Sequence, residues 1–308
     1  MLLPKLDWLL NGSAEKGSTD VSTFLAESTL EGPRNIYVTN KNINGRYGKI
    51  PIRIYQGDIT QPSPCFIYLH AGGWNFGDIE QCDPFCRFAA SSNQITVISI
   101  DYRLAPKFKF PTQVNEVIAV YNWLVKNGSD FLINPNHIGI GGKSAGANIA
   151  ISTCLTLASK IRQPIRYLML DSPALDFKMN SPSYKTLAND YALTKKDMMN
   201  SWSDYLSDYL PESLLQVASP LYSKQLARLP PCDMYIMEYD PLRDEAITFY
   251  NLLLENHVPV TMELCKGFIH GSSSLTKLLP EAKKLQDKII NAIVKSLVKT
   301  VAPYKELK

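Results

Sequence analysis

Short apolar runs alternate with stretches of helical periodicity along most of the chain. The runs lie near 36–39, 51–55, 65–69, 95–100, 137–141 and 166–171. Apolar residues at helical spacing occur at 112–127 and again in the stretch that follows the 137–141 run and extends to about 160. Short apolar runs indicate buried strands, and strands that alternate with helices are typical of a mostly parallel sheet flanked by helices. The pattern predicts a single α/β domain over 1–308.

The alternation is interrupted between 175 and about 218, where Met, Tyr and Trp are frequent. Trp202, Tyr205 and Tyr209 are spaced as on one face of a helix. Such a stripe is more typical of packing on the body of a domain than of contact with a bound molecule. We therefore expect the stripe to pack on the body, and contact with a bound molecule is compatible with that packing.

Composition and charge are those of an ordinary globular chain. Hydrophobic residues make up 45% of the 308 residues, enough for a sizeable core, and the formal net charge is only +3. No basic stripe interleaved with aromatic residues is present, so a nucleic-acid partner is not expected. The first residues lack the apolar core of a signal peptide, and no apolar run is long enough to span a membrane.

The six cysteines show no paired spacing. Cys82 and Cys86 are four residues apart and would lie close together on one helical face if their segment is helical, but neither a second pair nor a histidine cluster completes a zinc site. Cys65, Cys154 and Cys265 lie in apolar contexts and are interpreted as buried thiols. We expect no bound metal, and we expect a reduced, cytoplasmic compartment.

The pentapeptide Gly142-Lys143-Ser144-Ala145-Gly146 stands between the apolar run at 137–141 and a helix-like stretch. A strand, a sharp turn and a helix with serine at the apex form a nucleophile elbow, in which the serine hydroxyl stands clear of its neighbours. A phosphate-binding loop is the competing interpretation of the Gly-Lys-Ser triplet. That loop requires an earlier glycine at the position where this chain has His137. We therefore predict that Ser144 is a nucleophile.

Loops after three other predicted strands carry the residue types that a serine nucleophile needs. A glycine pair, Gly72 and Gly73, follows the 65–69 run and can present backbone N–H groups as an oxyanion hole. Asp240 and His270 follow apolar runs nearer the carboxyl terminus. Because the carboxyl ends of parallel strands share one edge of a sheet, we expect Ser144, Asp240 and His270 to meet there. Their order along the chain is that of α/β-hydrolases.

Each of these residues has a structural alternative. Asp240 could serve only as the N-cap of a helix, and Asp244 could be mistaken for the triad acid although it would lie inside that helix. His137 and His257 lie in turn-like sequences, and His70 is expected to hold the glycine loop by hydrogen bonding. Of the four histidines, His270 is therefore predicted to be the general base.

The chain resembles the hormone-sensitive-lipase-like branch of the α/β-hydrolase superfamily over roughly residues 50–295. The matching segments are His70-Ala71-Gly72-Gly73-Trp74, Asp101-Tyr102-Arg103-Leu104-Ala105-Pro106, Gly142-Lys143-Ser144-Ala145-Gly146, Asp240-Pro241-Leu242-Arg243-Asp244-Glu245 and Gly267-Phe268-Ile269-His270-Gly271. The resemblance implies a mostly parallel sheet with a helical cap, formed by about 1–35 and 175–218. It also implies a carboxylic ester hydrolase with a small-molecule ester substrate and an oxyanion hole at the N–H groups of Gly72, Gly73 and Ala145.

Three positions depart from the pattern of that branch. Ala71 stands where the first glycine of the His-Gly-Gly-Gly motif is usual, but an alanine keeps its N–H. Lys143 stands before the nucleophile, where an aspartate is usual. Ser272 follows Gly271, where a phenylalanine is frequent. The lysine reverses a charge beside the serine, which bears on substrate preference and not on the type of reaction.

We expect a serine carboxylesterase that hydrolyses short-chain acyl esters through an acyl-enzyme, with no metal and no organic cofactor. Trp74, Trp202 and Tyr205 are the candidates for lining the substrate pocket. An amide or formamide hydrolase with the same triad is an alternative, and so is a non-catalytic, small-molecule-binding member of the fold. The sequence leaves open whether the chain forms a homodimer.

Overall fold

The computed structural model of the protein describes residues 2, 3, 6, 27–158, 165–189 and 191–298. Eight strands of this part of the chain form one sheet. They are β1 (Tyr37–Gly45), β2 (Gly48–Gln56), β3 (Ser63–Leu69), β4 (Thr96–Ile100), β5 (Ile133–Lys143), β6 (Tyr167–Asp171), β7 (Cys232–Tyr239) and β8 (Val260–Ile269). Their order across the sheet is β1-β2-β4-β3-β5-β6-β7-β8. The pairs β1–β2 and β2–β4 are antiparallel, and every other neighbouring pair is parallel.

Helices connect the parallel strands and cover the sheet. They are α1 (Ile79–Ala90), α2 (Thr112–Asn127), α3 (Ala145–Ala158), α4 (Ser183–Thr186), α5 (Lys195–Tyr205), α6 (Glu212–Ala218), α7 (Arg243–Glu255) and α8 (Pro280–Val298). No helix among the described residues is both long enough and apolar enough to cross a membrane.

Apolar cores lie on both faces of the sheet because its central strands are buried on both sides. In β3, Cys65, Ile67 and Leu69 belong to one hydrophobic cluster, and the alternate residues Phe66 and Tyr68 belong to the other. Successive side chains of a strand point to opposite faces, so a strand covered on both sides reads as a continuous apolar run. The predicted α/β-hydrolase fold, with a mostly parallel sheet flanked by helices, is confirmed.

Two element boundaries differ from those expected from the apolar runs. The strand that leads to the elbow begins at Ile133 and not near His137. Ile133 pairs with Ser63 of β3, and a register irregularity at the polar residues 134–137 separates this pair from that of Ile138 with Cys65. The last strand continues to Ile269, directly before His270. It lies at the edge of the sheet, where exposed positions alternate with buried ones, so an apolar run alone marks only part of it.

The segment 175–218 contains α4, α5 and α6, apart from residue 190, which is outside the described residues. Most of 1–35, the other predicted part of the cap, also lies outside the described residues. Trp202 and Tyr205 are buried, whereas Tyr209 is 95% exposed. The predicted stripe is therefore wrong at Tyr209, because α5 ends at Tyr205 and helical spacing does not extend beyond it.

All six cysteines lie buried as free thiols. Three of them were interpreted in this way from the sequence, and the structure adds Cys82, Cys86 and Cys232. Burial among apolar neighbours raises the pKa of the Cys86 and Cys232 thiols well above the usual range. A thiol with a raised pKa stays protonated and is a poor nucleophile or metal ligand at neutral pH.

Candidate active site

Ser144 lies at the apex of a sharp turn between β5 and α3. Its φ is +55°, in the left-handed region that L-residues rarely adopt. The turn is held from both sides, because the Ser144 N–H donates to the Asp171 carbonyl at 2.8 Å and the Ser144 carbonyl accepts from Asn148 N–H at 3.1 Å. Gly146 is required by close approach, since a Cβ there would overlap the carbonyl oxygen of Leu69. The local geometry is that of a nucleophile elbow.

Ser144, His270 and Asp240 form a continuous chain of hydrogen bonds. Ser144 Oγ lies 3.1 Å from His270 Nε2, and His270 Nδ1 lies 2.6 Å from Asp240 Oδ2. The second carboxylate oxygen, Asp240 Oδ1, accepts the N–H of Leu242 at 2.9 Å. Because a carboxylate only accepts, Nδ1 carries the proton that faces Asp240, and Nε2 is left as an acceptor for the Ser144 hydroxyl.

Parallel strands bring these three side chains to one edge of the sheet. Ser144 follows β5, Asp240 follows β7 and His270 follows β8, and all three strands run in the same direction. The structure therefore brings together the residues that the sequence predicted to meet. Asp240 is 1% exposed. Its side chain accepts the N–H of Leu242, but Leu242 is itself the N-cap of α7, so the alternative that Asp240 is the helix N-cap is wrong. Asp244 lies inside α7 and pairs with Arg243.

The loop after β3 exposes backbone N–H groups near the elbow. Gly72 and Gly73 have φ values of +122° and +53°, and a Cβ on Gly73 would lie 2.5 Å from Ser201 Oγ of α5. Among the described residues, no acceptor bonds the N–H of Gly72, of Gly73 or of Ala145, the first residue of α3. Free amides in a glycine loop and at a helix N-terminus are the donors that an oxyanion hole requires.

His70 holds this loop by hydrogen bonding and stacking. Its Nδ1–H donates to the carbonyl of Ala71 at 2.7 Å, and its ring stacks on Tyr102 with centroids 4.1 Å apart. The Tyr102 hydroxyl donates to the His70 carbonyl at 2.8 Å. Buried His70 Nε2 has no partner among the residues that the structure describes, so a second ring proton would find no acceptor among them. Burial lowers the pKa of His70 to about 4.

The lowered pKa of His70 is expected to make folding stability depend on pH. Unfolded histidine takes up a proton near pH 6.5, whereas buried His70 remains neutral down to about pH 4. The unfolded state therefore binds more protons in this window, and the free energy of unfolding falls as pH falls, by about 3 kcal/mol in total. Chemical denaturation of wild type and His70→Asn between pH 7.5 and 4 measures this slope.

The matched control for that measurement is His257→Asn, which alters an exposed histidine. His70→Asn is expected to flatten the decline of stability between pH 6.5 and 4, whereas His257→Asn should keep it. An equal slope in His70→Asn and wild type would contradict a neutral, buried His70.

Trp74, Trp202 and Tyr205 pack against one another beside the glycine loop. Trp74 stacks on Tyr205 with ring centroids 4.3 Å apart, and the Trp74 and Trp202 centroids are 4.4 Å apart. All three side chains are buried, and for Trp202 and Tyr205 this agrees with the predicted packing of the stripe on the body. Their indole and hydroxyl polar atoms have no partner among the described residues. The contact of these three residues with a substrate stays a prediction.

Sequence reasoning missed a group of polar residues behind the elbow. Asp171, the last residue of β6, accepts the Ser144 N–H through its carbonyl and a hydrogen bond from Ser273 through its carboxylate. The sequence does carry a signal for Asp171, because this acid ends an apolar run and Asp240 is predicted from its place after such a run. Nothing in the sequence pattern singles out Ser273 or Ser274, which lie in a short turn after His270.

The comparisons with known proteins agree with this geometry. A family model described as the α/β hydrolase fold matches residues 66–274. The carboxylic ester hydrolase LipN of Mycobacterium tuberculosis is 31% identical over 256 residues, which cover 81% of this chain and 68% of that protein. The carboxylesterase NlhH of the same species is 27% identical over 255 residues, covering 80% of this chain and 79% of that protein.

Solved structures agree as well. The ester hydrolase EH1AB1 from the metagenome of Lake Arreo, crystallised with a bipyridine phosphonate derivative, superposes with a TM-score of 0.88 at 29% identity. The match covers 96% of this chain and 98% of that one. The resemblance predicted from the five motifs is confirmed, and the chain belongs to the α/β-hydrolase fold family, in its hormone-sensitive-lipase-like branch.

Proposed function

We propose that the protein is a serine carboxylesterase that hydrolyses short-chain acyl esters. The observation that carries this proposal is the hydrogen-bonded chain from Ser144 Oγ through His270 to Asp240, with the serine on a strained elbow. The activities named for LipN, NlhH and EH1AB1, all ester hydrolases, support the same reaction type.

Acylation begins when Ser144 Oγ attacks the carbonyl carbon of the ester. His270 Nε2, 3.1 Å away, takes the hydroxyl proton, and the resulting imidazolium is stabilised by Asp240 at its other nitrogen. Negative charge develops on the carbonyl oxygen, and the N–H groups of Gly72, Gly73 and Ala145 are its proposed donors. Each such donor typically stabilises the transition state by about 3–4 kcal/mol.

The tetrahedral intermediate collapses when His270 Nε2 returns the proton to the leaving alcohol, which leaves Ser144 acylated. Water then attacks the acyl-enzyme, with Nε2 as general base, and the carboxylic acid leaves. The buried position of Asp240 suits both half-reactions, because its orientation is fixed by the Leu242 N–H and does not depend on solvent.

The preference for short acyl chains follows from the packing of the segment 175–218. We treat 1–308 as one domain with a cap formed by about 1–35 and 175–218. Within this cap α5 lies against the glycine loop, where Ser201 and Trp202 contact Gly73 and Trp74. Bulky buried aromatics beside the proposed oxyanion hole limit the space for an acyl chain, and a small pocket rejects longer chains by steric exclusion.

Hydrolysis of p-nitrophenyl esters of increasing acyl length tests the proposal. We expect kcat/KM to be largest for acyl groups on the order of two to six carbons and to fall for longer ones. The matching p-nitroanilides should be hydrolysed more slowly than the esters. Maximal activity on emulsified long-chain triglycerides would contradict the short-chain preference, and faster turnover of the anilides would favour an amide hydrolase. No turnover of any ester would favour a non-catalytic binding protein.

A further inference from the structure

Lys143, the residue before the nucleophile, lies in a buried polar group that the proposed mechanism does not use. We call Lys143, Asp171, Ser273 and Ser274 the lysine cluster. Lys143 and Asp171 are register partners at the ends of β5 and β6, and Lys143 Nζ lies 3.7 Å from Asp171 Oδ2. Both side chains are less than 10% exposed. Desolvation of such a pair offsets much of its electrostatic attraction, so the pair by itself contributes little net stability.

Hydrogen bonds extend the lysine cluster to the turn that follows His270. Lys143 Nζ donates to Ser274 Oγ, and Ser273 Oγ donates to Asp171 Oδ2 at 2.6 Å. The second carboxylate oxygen of Asp171 accepts from Ser172 Oγ at 3.1 Å. The ammonium and the carboxylate therefore each bind one serine of the same turn.

That turn is short and directly continuous with the histidine. Gly271 follows His270 with φ of +82°, and Ser272–Ser274 form one turn of 3-10 helix. Ser274 N–H donates to the Gly271 carbonyl at 3.0 Å, and Ser272 Oγ donates to the Ile269 carbonyl at 2.7 Å. Because the backbone on both sides of His270 is bonded to this turn, moving the turn would move the imidazole.

The same cluster also holds the elbow. Asp171 accepts the Ser144 N–H through its carbonyl at 2.8 Å, and Lys143 is bonded covalently to Ser144. The residues of the cluster thus hold the nucleophile through the Asp171 main-chain carbonyl and the peptide bond of Lys143, and their side chains bind the histidine turn. The distance between Ser144 Oγ and His270 Nε2 depends on how these two ends are held together.

A small cavity of about 30 Å³ adjoins the cluster and is lined in part by Lys143, Asp171 and Ser274. Gln81 and Gln286 also line the cavity. Neither Gln81 Oε1 nor Gln286 Nε2 has a hydrogen-bond partner among the described residues. A polar cavity of this size has room for one internal water molecule, which would supply a further hydrogen bond to the buried ammonium. The titratable groups that face Lys143 here are Asp171, Tyr68 and Cys82.

We propose that Lys143 is a positioning residue that clamps the histidine turn to the nucleophile elbow and so keeps His270 Nε2 within hydrogen-bond distance of Ser144 Oγ. This inference rests on the proposed function. It also explains why the charge before the nucleophile is reversed here. The aspartate that is usual in this branch would face the Asp171 carboxylate, and two buried carboxylates repel each other.

Steady-state kinetics of Lys143→Met with a short p-nitrophenyl ester test this role. Loss of the clamp displaces the imidazole in the transition state, so kcat is expected to fall by about 10- to 100-fold. KM should stay within about twofold, because the side-chain hydrogen bonds of the cluster involve none of the proposed oxyanion donors Gly72, Gly73 and Ala145. Ser274→Ala removes the other end of the clamp while Lys143 keeps Asp171 as its charged partner. It should lower kcat in the same way, and it provides the test if Lys143→Met does not fold.

The matched control is Arg53→Met. Like Lys143, Arg53 is a largely buried cation, but it lies on β2. Arg53 pairs with Glu80 at 2.6 Å and with Asp83 at 3.1 Å. This variant is expected to lose stability but to keep the wild-type kcat. A loss of kcat in Arg53→Met equal to that in Lys143→Met would show that the effect is a general consequence of destabilisation, and it would overturn the proposal.

The double variant Lys143→Met/Asp171→Asn separates stability from positioning. Asparagine removes the unpaired carboxylate, so the midpoint of denaturation should recover while kcat remains low, since no clamp is restored. Recovery of kcat together with stability, or a wild-type kcat in Lys143→Met and Ser274→Ala, would overturn the positioning role alone. A wild-type protein that hydrolyses no ester would overturn the proposed function itself, and the positioning role with it.

Discussion

Replacing Ser144 by alanine is expected to lower kcat for short-chain esters by about a million-fold, the size of effect seen when a triad serine is removed elsewhere. The variant should fold as the wild type does. Both backbone hydrogen bonds of the elbow, from Ser144 N–H to Asp171 and from Asn148 N–H to Ser144, involve main-chain atoms that alanine retains. The strain at φ of +55° is also similar for the two residues, because both carry a Cβ.

Ser152→Ala is the matched control for this substitution. Ser152 is a buried serine of the same helix, α3, and its hydroxyl donates to the Val217 carbonyl at 2.8 Å. This variant is expected to lose some stability and to keep its turnover. The assignment of Ser144 as the nucleophile is supported if Ser144→Ala hydrolyses esters only at the background rate and without a burst, while Ser152→Ala hydrolyses them normally. Substantial turnover by Ser144→Ala would refute it.

Asp240→Asn is expected to lower kcat by about ten-thousand-fold, and hydrogen-bond geometry gives the reason. The Leu242 N–H donates to Oδ1, which fixes the amide of the substituted residue with its oxygen toward Leu242. Its NH2 group then faces His270 Nδ1, which must become an acceptor. The imidazole proton moves to Nε2, and that nitrogen can no longer take the proton of Ser144.

The comparison variant is Asp244→Asn, four residues further along the chain. Asp244 pairs with Arg243 at 2.7 Å in the first turn of α7, so its replacement should affect stability modestly and turnover little. Single-turnover kinetics of both variants, beside their denaturation midpoints, distinguish the two carboxylates. A large loss of turnover in Asp244→Asn, with Asp240→Asn close to wild type, would mean that the catalytic acid is misassigned.

Much of the sheet and the meeting of three loops could be predicted because both depend on local patterns. The 65–69, 95–100 and 166–171 runs are buried on both faces, and their apolar residues mark β3, β4 and β6 closely. Ser144, Asp240 and His270 each directly follow a strand of the parallel part of the sheet, so topology alone brings them to one edge. Helix α1 was not assigned, and Pro84 inside it weakens the helical signal.

The partners of Lys143 in the lysine cluster could not be identified from the sequence because the contacts of the cluster join distant parts of the chain. Lys143 and Asp171 become neighbours only through the register of β5 and β6, and Ser274 reaches them from beyond β8. The packing of α5 on the glycine loop likewise depends on tertiary contact between Trp202 and Trp74. Sequence periodicity identifies which residues share a face of an element, but not which face of another element they meet.

Covalent labelling with a phosphonate ester, read by intact-protein and peptide mass spectrometry, tests the identity of the nucleophile most directly. One equivalent of phosphonate is expected on the wild-type protein, on the peptide that contains Ser144, with hydrolysis lost in proportion to labelling. Ser144→Ala should take up none, and Ser152→Ala should be labelled as the wild type is. Modification of another residue, or equal labelling of Ser144→Ala, would contradict an acyl-enzyme formed on Ser144.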